Sequence, residues 1–299
     1  MSPPSVSVVI ASGAGGEFLF RCLASLRTQA LEHGVPVLVV DRCGEATRAP
    51  IGREDPHVQV VAPKADHPLT VPELRRIGVE AAATDVVAVL EEHCTAPPHW
   101  LATIRREFRT GDAAIGGPIL DASYRRVRDW VVYFSEYHGY APPWPAGERF
   151  TLSGANIAYA RAKVLAHREV LDSGYWEVVL HPRLARDGVF RSVPDMGAYH
   201  TGPFDYAYYL RQRYLLSRVW GGTERRRVSR LVRAAHVLGA PLMPVLMLSR
   251  MARLARREPR LVPPFVRALP LLIVAMATLA WGEAVGYLLG PGRALEEVE

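Results

Sequence analysis

Short apolar runs alternate with helix-like stretches through the first 120 residues, and this alternation constrains the fold more than any other feature. The strand-like runs cover residues 6–10, 35–40, 58–61, 85–90 and 113–119, and the helical stretches cover residues 17–31, 72–83 and 100–109. The runs are continuously apolar, which indicates strands buried on both faces. Such strands, separated by amphipathic helices, predict an α/β fold with a mostly parallel sheet flanked by helices.

The composition fits a packed globular protein that begins folding in the cytoplasm. Of the 299 residues, 49% are hydrophobic and 22% are charged, which excludes a disordered chain. Cys22, Cys43 and Cys94 lie far apart with no CxxC pair, so we expect free thiols in a reducing compartment. The N-terminal segment lacks a basic region followed by a long apolar core, so it is not predicted to be a signal peptide.

Positive charge is carried almost entirely by arginine and is concentrated towards the C-terminus. The net charge is +6, lysine occurs only at Lys64 and Lys163, and arginines cluster after residue 211. A basic protein can bind nucleic acid, phosphates or anionic lipid. Because these arginines border apolar segments, we expect a membrane surface as the partner and no nucleic acid.

Two apolar segments near the C-terminus are candidates for membrane association. Residues 234–249 are short and contain two prolines, whereas residues 268–290 are long enough to span a bilayer of about 30 Å, although Glu283 would be costly at depth. Arginines flank the first segment on both sides, so a crossing would leave one cluster outside, against the positive-inside tendency. We therefore expect this segment to re-enter or lie in the interface, with its arginines on anionic cytoplasmic lipid. The second segment is expected to lie likewise or span once, and the alternative is a pair of buried core helices.

Polar residues follow three of the predicted strands. They are residues 11–13, Asp41 and residues 91–93, the last of which read Glu-Glu-His. In open α/β sheets, ligands bind in the crevice at the carboxyl ends of the strands. These three groups could therefore converge on one site.

Two kinds of site are disfavoured at this crevice. A dinucleotide site needs a third glycine after the first strand, and Phe18 stands at that position. A zinc site could draw on Glu91, His93 and Cys94, but adjacent residues of an extended strand point to opposite faces and no further ligand cluster is evident. Cys94 is equally well explained as a small buried apolar residue.

A metal-assisted nucleotide-sugar site fits the same residues better. A sugar diphosphate gains negative charge on its leaving group as the sugar departs, and a divalent cation bridging the phosphates stabilises that charge. Residues i and i+2 of a strand share a face. Glu91 and His93 can therefore both reach one metal ion, with Glu92 turned away or towards the ribose.

Several stretches between residues 5 and 220 match, in order, the motifs of one known family. They are "VSVVIAS" with "FLFRCLASL", "VLVVD", "LRRIGVEAA", "VLEEHCTAPPHWL", "LSGANIAYAR", "YWEVVLHPRLARDG" and "LRQRYLLSRVW". Together they resemble the family 2 glycosyltransferases, whose fold is called GT-A. The processive Gln-x-x-Arg-Trp pattern is incomplete, which makes a long polysaccharide synthase less expected.

The resemblance implies roles for the N-terminal motifs. Asp41 stands where the family binds the nucleobase, commonly uracil, and Arg75 matches the arginine of the Arg-Asn-x-Gly helix, whose asparagine is replaced by Arg76. Glu91 and His93 replace the two aspartates of the Asp-x-Asp element. One anionic ligand thus becomes an imidazole, which suits Mn²⁺ better than Mg²⁺.

The C-terminal motifs imply further roles. Glu177 takes the position of the aspartate that serves as general base, and Trp176 replaces the glutamate before it. Trp176 is also assigned to the acceptor or diphosphate region, together with Asn156, Gln212, Arg213 and Arg218. The resemblance also implies a set of nucleotide-binding residues. They are Ala11, Ser12, Asp41 and Glu91 at the strand ends and Arg75 on the helix predicted over residues 72–83.

Each of these residues also has a purely structural interpretation. Asp41 could end a strand and open a turn, the acids at 91 and 92 could be solvated, and His93 could be a hydrogen-bonded structural histidine. Glu177 could be an ordinary helix-start acid favoured by the helix dipole, and Asn156 a turn former. Their joint occurrence in order, at the family's spacings, favours the functional interpretation.

The resemblance implies a GT-A catalytic domain over residues 1–222, and the composition indicates arginine-rich, membrane-associating helices over residues 223–299. The implied reaction is inverting transfer of a sugar from a nucleoside diphosphate sugar, UDP-sugar favoured, to a hydroxyl. A lipid or lipid-linked acceptor at the cytoplasmic face of the cell membrane, in cell-envelope synthesis, is the candidate. The alternative is a non-catalytic, degenerate GT-A domain that binds a nucleotide or a membrane partner.

Overall fold

The computed structural model describes residues 3–67, 69–122, 124–172, 177–202 and 205–297. The chain packs as two compact units. The first comprises Met1–Ala122 and Tyr140–Gly202, and the second comprises Ser123–Gly139 and Pro203–Glu299. The sequence led us to expect one boundary at residue 222. The units instead divide so that Ser123–Gly139 and the chain from Pro203 onwards belong to the second unit.

Among its described residues, the first unit contains eleven strands and seven α-helices, numbered along the whole chain. The strands are β1 Val6–Ser12, β2 Val37–Asp41, β3 Val58–Val61, β4 Val86–Leu90, β5 Cys94–Thr95, β6 Asp112–Gly116, β7 Ile119–Asp121, β8 Gly147–Glu148, β9 Asn156–Ala160, β10 Val189–Ser192 and β11 Ala198–His200. The helices are α1 Gly16–His33, α2 Glu45–Glu54, α3 Val71–Ala81, α4 Trp100–Glu107, α6 Arg161–Leu165, α7 Arg168–Asp172 and α8 Glu177–Asp187.

A large central sheet has the strand order β3-β2-β1-β4-β9-β6-β10-β8. The strands β3, β2, β1 and β4 are mutually parallel, as the apolar runs predicted. The strand β9 runs antiparallel to both β4 and β6, and β8 runs antiparallel to β10. The sheet is therefore mixed. A second sheet, β5-β11-β7, carries β5 immediately after the Glu-Glu-His segment.

The core explains why the apolar runs show no alternation. Val9, Leu38, Val87, Val89 and Ile157 come from four neighbouring strands and are all at most 2% exposed. Strands covered by helices on both faces bury every side chain, which is the physical reason for a continuous apolar run.

The run predicted as one strand over residues 113–119 is divided into β6 and β7, which belong to different sheets. Gly117 lies at the division. A Cβ atom there would come within 1.9 Å of the Met196 carbonyl oxygen, so the backbone can turn here only with glycine. The helix α2 was not predicted, because it is polar and contains Pro50.

The helix α3 is fixed tightly against the sheet. It begins with a capping box in which the Thr70 side chain accepts from the Glu73 N–H and the Glu73 carboxylate accepts from the Thr70 N–H. A Cβ atom at Gly78 would lie 2.3 Å from Cγ1 of Val9, so the glycine permits close packing on β1. This packing gives the buried Arg75, one turn earlier, a defined position.

The second unit is helical throughout its described residues. Its helices are α5 Val127–Tyr137, α9 Tyr206–Glu224, α10 Arg230–Gly239, α11 Met243–Arg257, α12 Val262–Leu289 and α13 Ala294–Glu297. The helices α9 and α12 approach closely through glycines. Cβ atoms at Gly282 and Gly286 would lie 2.5 Å and 2.4 Å from the carbonyl oxygens of Tyr214 and Arg218. This small-xxx-small pairing is common between membrane helices.

Two helical stretches of the second unit are long and apolar enough to cross a membrane, by length and composition alone. They are Arg230–Arg257, whose most apolar window is 0% buried, and Pro259–Leu289, whose window is 33% buried. The first stretch is therefore not a buried core helix, which was the alternative interpretation. Glu283 lies 3.7 Å from Nδ1 of His236, so the acid within the apolar helix has an ionisable neighbour.

Candidate active site

Glu91 and His93 face the same side of the chain where β4 ends. The Glu91 Oε1 atom lies 4.0 Å from the His93 Nδ1 atom, and their side chains are 30% and 11% exposed. The Phe18 ring packs against His93, with ring centroids 5.1 Å apart. The Cys94 N–H donates to the Glu91 carbonyl oxygen at 2.8 Å, so the segment forms a turn, and this turn, rather than the strand alternation expected from the sequence, brings the two side chains together.

This pair can supply two ligands to one divalent cation. Bonds of about 2.1 Å to an imidazole nitrogen and about 2.2 Å to a carboxylate oxygen allow the two ligand atoms to be up to about 4.3 Å apart. The observed 4.0 Å falls within that limit. Among the residues that the structure describes, no group of three or more His, Cys, Asp or Glu side chains is arranged to hold a metal ion.

Glu92 points the other way and binds the turn after β1. Its carboxylate accepts hydrogen bonds from the backbone N–H groups of Gly13, Ala14 and Gly15 at 3.0, 2.8 and 3.0 Å. Consecutive N–H groups of this kind form an anion-binding concavity. Because a buried carboxylate of the chain already occupies it, this turn does not offer its N–H groups to a pyrophosphate, which adds to the argument against a dinucleotide site.

Asp41 and Ser12 form a buried group at the ends of β2 and β1. The Ser12 hydroxyl donates to Asp41 Oδ1 at 3.0 Å, and the N–H groups of Cys43 and Gly44 donate to the same carboxylate. Arg48 Nε lies 3.3 Å from Oδ2, and the Asp41 side chain is 0% exposed. These contacts match the turn-forming interpretation of Asp41. A hydrogen bond to a nucleobase would require one of these donors to be displaced, and the nucleobase role stays a prediction. Ala11, also implied in nucleotide binding, is buried beside Ser12 on β1.

Arg75 and Glu177 form an ion pair across 102 residues of sequence. The Arg75 Nη1 atom donates to Glu177 Oε1 at 3.1 Å, and the two side chains are 10% and 26% exposed. Glu177 is the first residue of α8, where the helix dipole favours a negative charge. Arg75, which was predicted to bind the nucleotide, thus contacts Glu177, the predicted base. Trp176 lies outside the described residues.

A buried hydrogen-bonded group holds α8 one turn beyond Glu177. The His181 Nε2 atom lies 2.8 Å from the Tyr159 hydroxyl, and its Nδ1 atom lies 3.2 Å from the Thr151 hydroxyl. Burial lowers the pKa of His181 to about 3, and the positive charge of Arg75 adds to this effect. The imidazole is therefore neutral at physiological pH. Nothing in the sequence pattern singled out His181, because its partners lie 22 and 30 residues away.

Asn156 is wholly buried at the start of β9 and binds other parts of the first unit. Its Oδ1 atom accepts from Trp100 Nε1 at 2.9 Å, and its Nδ2 atom donates to the Met196 carbonyl at 2.6 Å. A longer contact, 3.4 Å, reaches the Pro118 carbonyl. Asn156 therefore fixes the local fold, and its role towards an acceptor stays a prediction.

The side chains predicted near the diphosphate have protein partners inside the second unit. Arg213 Nη1 donates to Glu136 Oε2 at 2.8 Å, and the Tyr209 hydroxyl donates to the same carboxylate. Arg218 Nε donates to the Gly290 carbonyl at 3.3 Å, where α12 ends, and Gln212 is buried. A diphosphate role for Arg213 would require it to leave Glu136, and it stays a prediction.

Comparison with known proteins places the fold but not the family. No protein-family model matches the sequence, and no curated protein does. The structure is similar to that of the mannosyltransferase PcManGT from Pyrobaculum calidifontis in complex with GDP-Man and Mn²⁺, with a TM-score of 0.57 and 13% identity over 97% of this chain and 88% of that one. S. aureus TarS, residues 1–349, in complex with UDP-GlcNAc matches with a TM-score of 0.49 and 15% identity over 95% of this chain and 90% of that one. The mixed α/β architecture, a large sheet flanked by helices, is thus similar in fold to that of the mannosyltransferase.

Proposed function

We propose that this chain is a nucleotide-sugar-dependent glycosyltransferase that acts on a hydroxyl acceptor at the cytoplasmic face of a membrane. The observation that carries the proposal is the Glu91–His93 pair, a carboxylate and an imidazole 4.0 Å apart where β4 ends. It stands in the fold of a sugar transferase that was solved with GDP-Man and Mn²⁺. Ligands of open α/β sheets bind at this end of the strands.

Glu91 and His93 would hold a divalent cation, with Mn²⁺ preferred because one of the two ligands is an imidazole. Such a cation stabilises the charge that grows on the leaving diphosphate. The nucleotide would lie against the strand ends near Ala11, Ser12 and Asp41. The sequence resemblance favours a UDP-sugar, whereas the similar mannosyltransferase was solved with GDP-Man.

Glu177 would act as the general base. The acceptor oxygen forms a bond to the anomeric carbon from the face opposite the diphosphate, while the bond from that carbon to the diphosphate oxygen breaks. The hydroxyl proton passes to the Glu177 carboxylate, and the nucleoside diphosphate leaves with the bonding electron pair. A single displacement of this kind inverts the anomeric configuration.

The second unit would attach the enzyme to the membrane. Its apolar helices expose large side chains, among them Leu231, Leu238 and Leu242, which are 84%, 80% and 64% exposed. Arginines border these helices on both sides, which suits anionic lipid. An enzyme anchored in this way is suited to a lipid or lipid-linked acceptor.

A screen of donors for thermal stabilisation tests the proposal on the full-length protein in detergent with Mn²⁺. A ligand at 100 times its Kd stabilises the folded state by about 2.7 kcal/mol, which raises the unfolding temperature measurably. We expect one nucleoside diphosphate sugar to stabilise the protein and to be consumed. A protein that is stabilised by nucleotide but never consumes a donor would support the alternative, a non-catalytic nucleotide-binding domain.

A further inference from the structure

Arg75 is placed to act on the proposed base. Its guanidinium is 10% exposed and donates to Glu177 Oε1 at 3.1 Å. It extends from α3, which the capping box and the close packing of Gly78 fix against β1. An arginine anchored on a rigid helix presents a planar, pre-organised fork, which orients a carboxylate more tightly than a lysine does.

The helix that carries Glu177 has a second anchor. His181, one turn later, binds Tyr159 of β9 through one ring nitrogen and Thr151 through the other. The start of α8 is therefore held to the sheet at His181 and to α3 at Glu177. Two anchors from different elements leave the Glu177 carboxylate little freedom to turn.

The charges around Glu177 come from identifiable groups. Tyr140 and Tyr159 face it, and burial raises the pKa of both hydroxyls, with the negative charge of Glu177 contributing to each rise. Both tyrosines are therefore neutral at physiological pH, as is His181. Among these neighbours, Arg75 supplies positive charge to Glu177, and an opposite charge within hydrogen-bonding distance favours the ionised carboxylate.

We infer that Arg75 is a positioning residue of the proposed base, which aims the Glu177 carboxylate and keeps it ionised, and that it does not bind the nucleotide phosphates. This inference rests on the proposed function and replaces the nucleotide-binding role that the sequence resemblance implies for Arg75. The two roles differ in what removal of the guanidinium changes. A phosphate ligand controls nucleotide affinity, whereas a positioning residue controls turnover and its pH dependence.

The test compares Arg75→Met, Arg75→Lys and the matched control Arg76→Met in the full-length protein. Arg76 is the next residue of α3 and pairs with Glu80 on the helix surface. Calorimetry with UDP and with GDP, in the presence of Mn²⁺, measures nucleotide affinity. Hydrolysis of the nucleotide sugar that the thermal screen selects measures turnover with water as acceptor, and release of the nucleoside diphosphate is recorded from pH 5 to 9.

We expect Arg75→Met to keep nucleotide affinity within about twofold and to lower kcat about tenfold or more. Loss of the positive charge disfavours ionised Glu177, so the acidic limb of the kcat profile should move up by about one pH unit or more. Arg75→Lys keeps the charge but not the fork, so it should restore the position of that limb and only part of kcat. Arg76→Met should match the wild type in every measurement.

The outcomes separate this inference from the proposed function. A tenfold or greater loss of UDP and GDP affinity in Arg75→Met, with an unshifted pH profile, would overturn the positioning role and leave the proposed function standing. A loss of kcat with the pH profile unchanged in both variants would show a purely structural role and would also overturn it. Absence of hydrolysis by the wild type of every nucleotide sugar that binds it would overturn both.

Discussion

The Glu91 carboxylate and the His93 imidazole lie 4.0 Å apart in the turn that follows β4, while the carboxylate of Glu92, between them in sequence, binds three backbone N–H groups. The three consecutive residues thus have two different roles. The Glu91–His93 pair is close enough to contact one cation, and Glu92 fixes the turn after β1. The turn closed by the Cys94 N–H and the Glu91 carbonyl brings the pair together.

Nucleotide binding should depend on Mn²⁺ through this pair. His93→Gln should weaken UDP or GDP binding in the presence of Mn²⁺ about tenfold or more, because loss of even an outer-shell partner of a metal ligand costs about 10–100-fold in metal affinity. Calorimetry with Mn²⁺ and with a chelator measures this effect. His99→Gln is the matched control, because His99 is exposed six residues away. Equal nucleotide binding with Mn²⁺ and with chelator would exclude the metal role.

Replacement of Glu92 should loosen the turn after β1. In Glu92→Gln, one carboxylate oxygen becomes an amide group that cannot accept, so at least one of the N–H groups of Gly13, Ala14 and Gly15 loses its partner. Hydrogen bonds to a charged group contribute about 1.5–3 kcal/mol each. Hydrogen exchange at these three amides should therefore accelerate, with Glu17→Gln, an exposed side chain on α1, as the control. Unchanged protection would mean that the turn is held by other contacts.

The stability of the first unit should fall below pH 6.5 through His181. The pKa of this residue is about 3 when folded and 6.5 in its ordinary state, so between these values the unfolded chain binds a proton that the folded chain does not. The stabilising effect of the neutral imidazole is fully present above pH 6.5 and decreases by about 1.4 kcal/mol per pH unit below it. Thermal unfolding at pH 7 and pH 5 should show a smaller decrease for His181→Gln than for the wild type. An identical decrease in both proteins would contradict this assignment.

The arginines beside the apolar helices should bind anionic lipid. Flotation with vesicles of phosphatidylcholine, with and without phosphatidylglycerol, should recover more full-length protein on the anionic vesicles. Replacing Arg230 and Arg233 with glutamine should reduce that preference by about 1 kcal/mol for each arginine near the surface. Arg109→Gln, an exposed arginine of the first unit, is the control. A full-length protein that is soluble without detergent and ignores anionic vesicles would contradict the membrane role.

Local patterns in the sequence predict the parallel half of the sheet, because an apolar run buried on two faces is a short-range signal. Strand alternation also led us to expect Glu91 and His93 to lie together, but the structure brings them together in a turn, which alternation does not predict. The division at Gly117 and the antiparallel direction of β9 are set by long-range packing, such as the approach of Met196, so periodicity does not reveal them. The partners of Glu92, Arg75 and His181 are distant in sequence for the same reason. Motif resemblance placed Arg75 and Glu177 in one site but did not predict that they bind each other.

Turnover of a nucleoside diphosphate sugar by the wild type and by Glu177→Gln tests the central claim most directly. The donor selected by thermal stabilisation is incubated with full-length protein and Mn²⁺, and release of the nucleoside diphosphate is followed over time. Glu169→Gln, an exposed acid on α7, serves as the control. We predict release by the wild type and the control, and a decrease of about 10²-fold or more in Glu177→Gln with nearly unchanged donor affinity. Equal release by the wild type and Glu177→Gln, or none by the wild type with any nucleotide sugar that binds, would contradict the account.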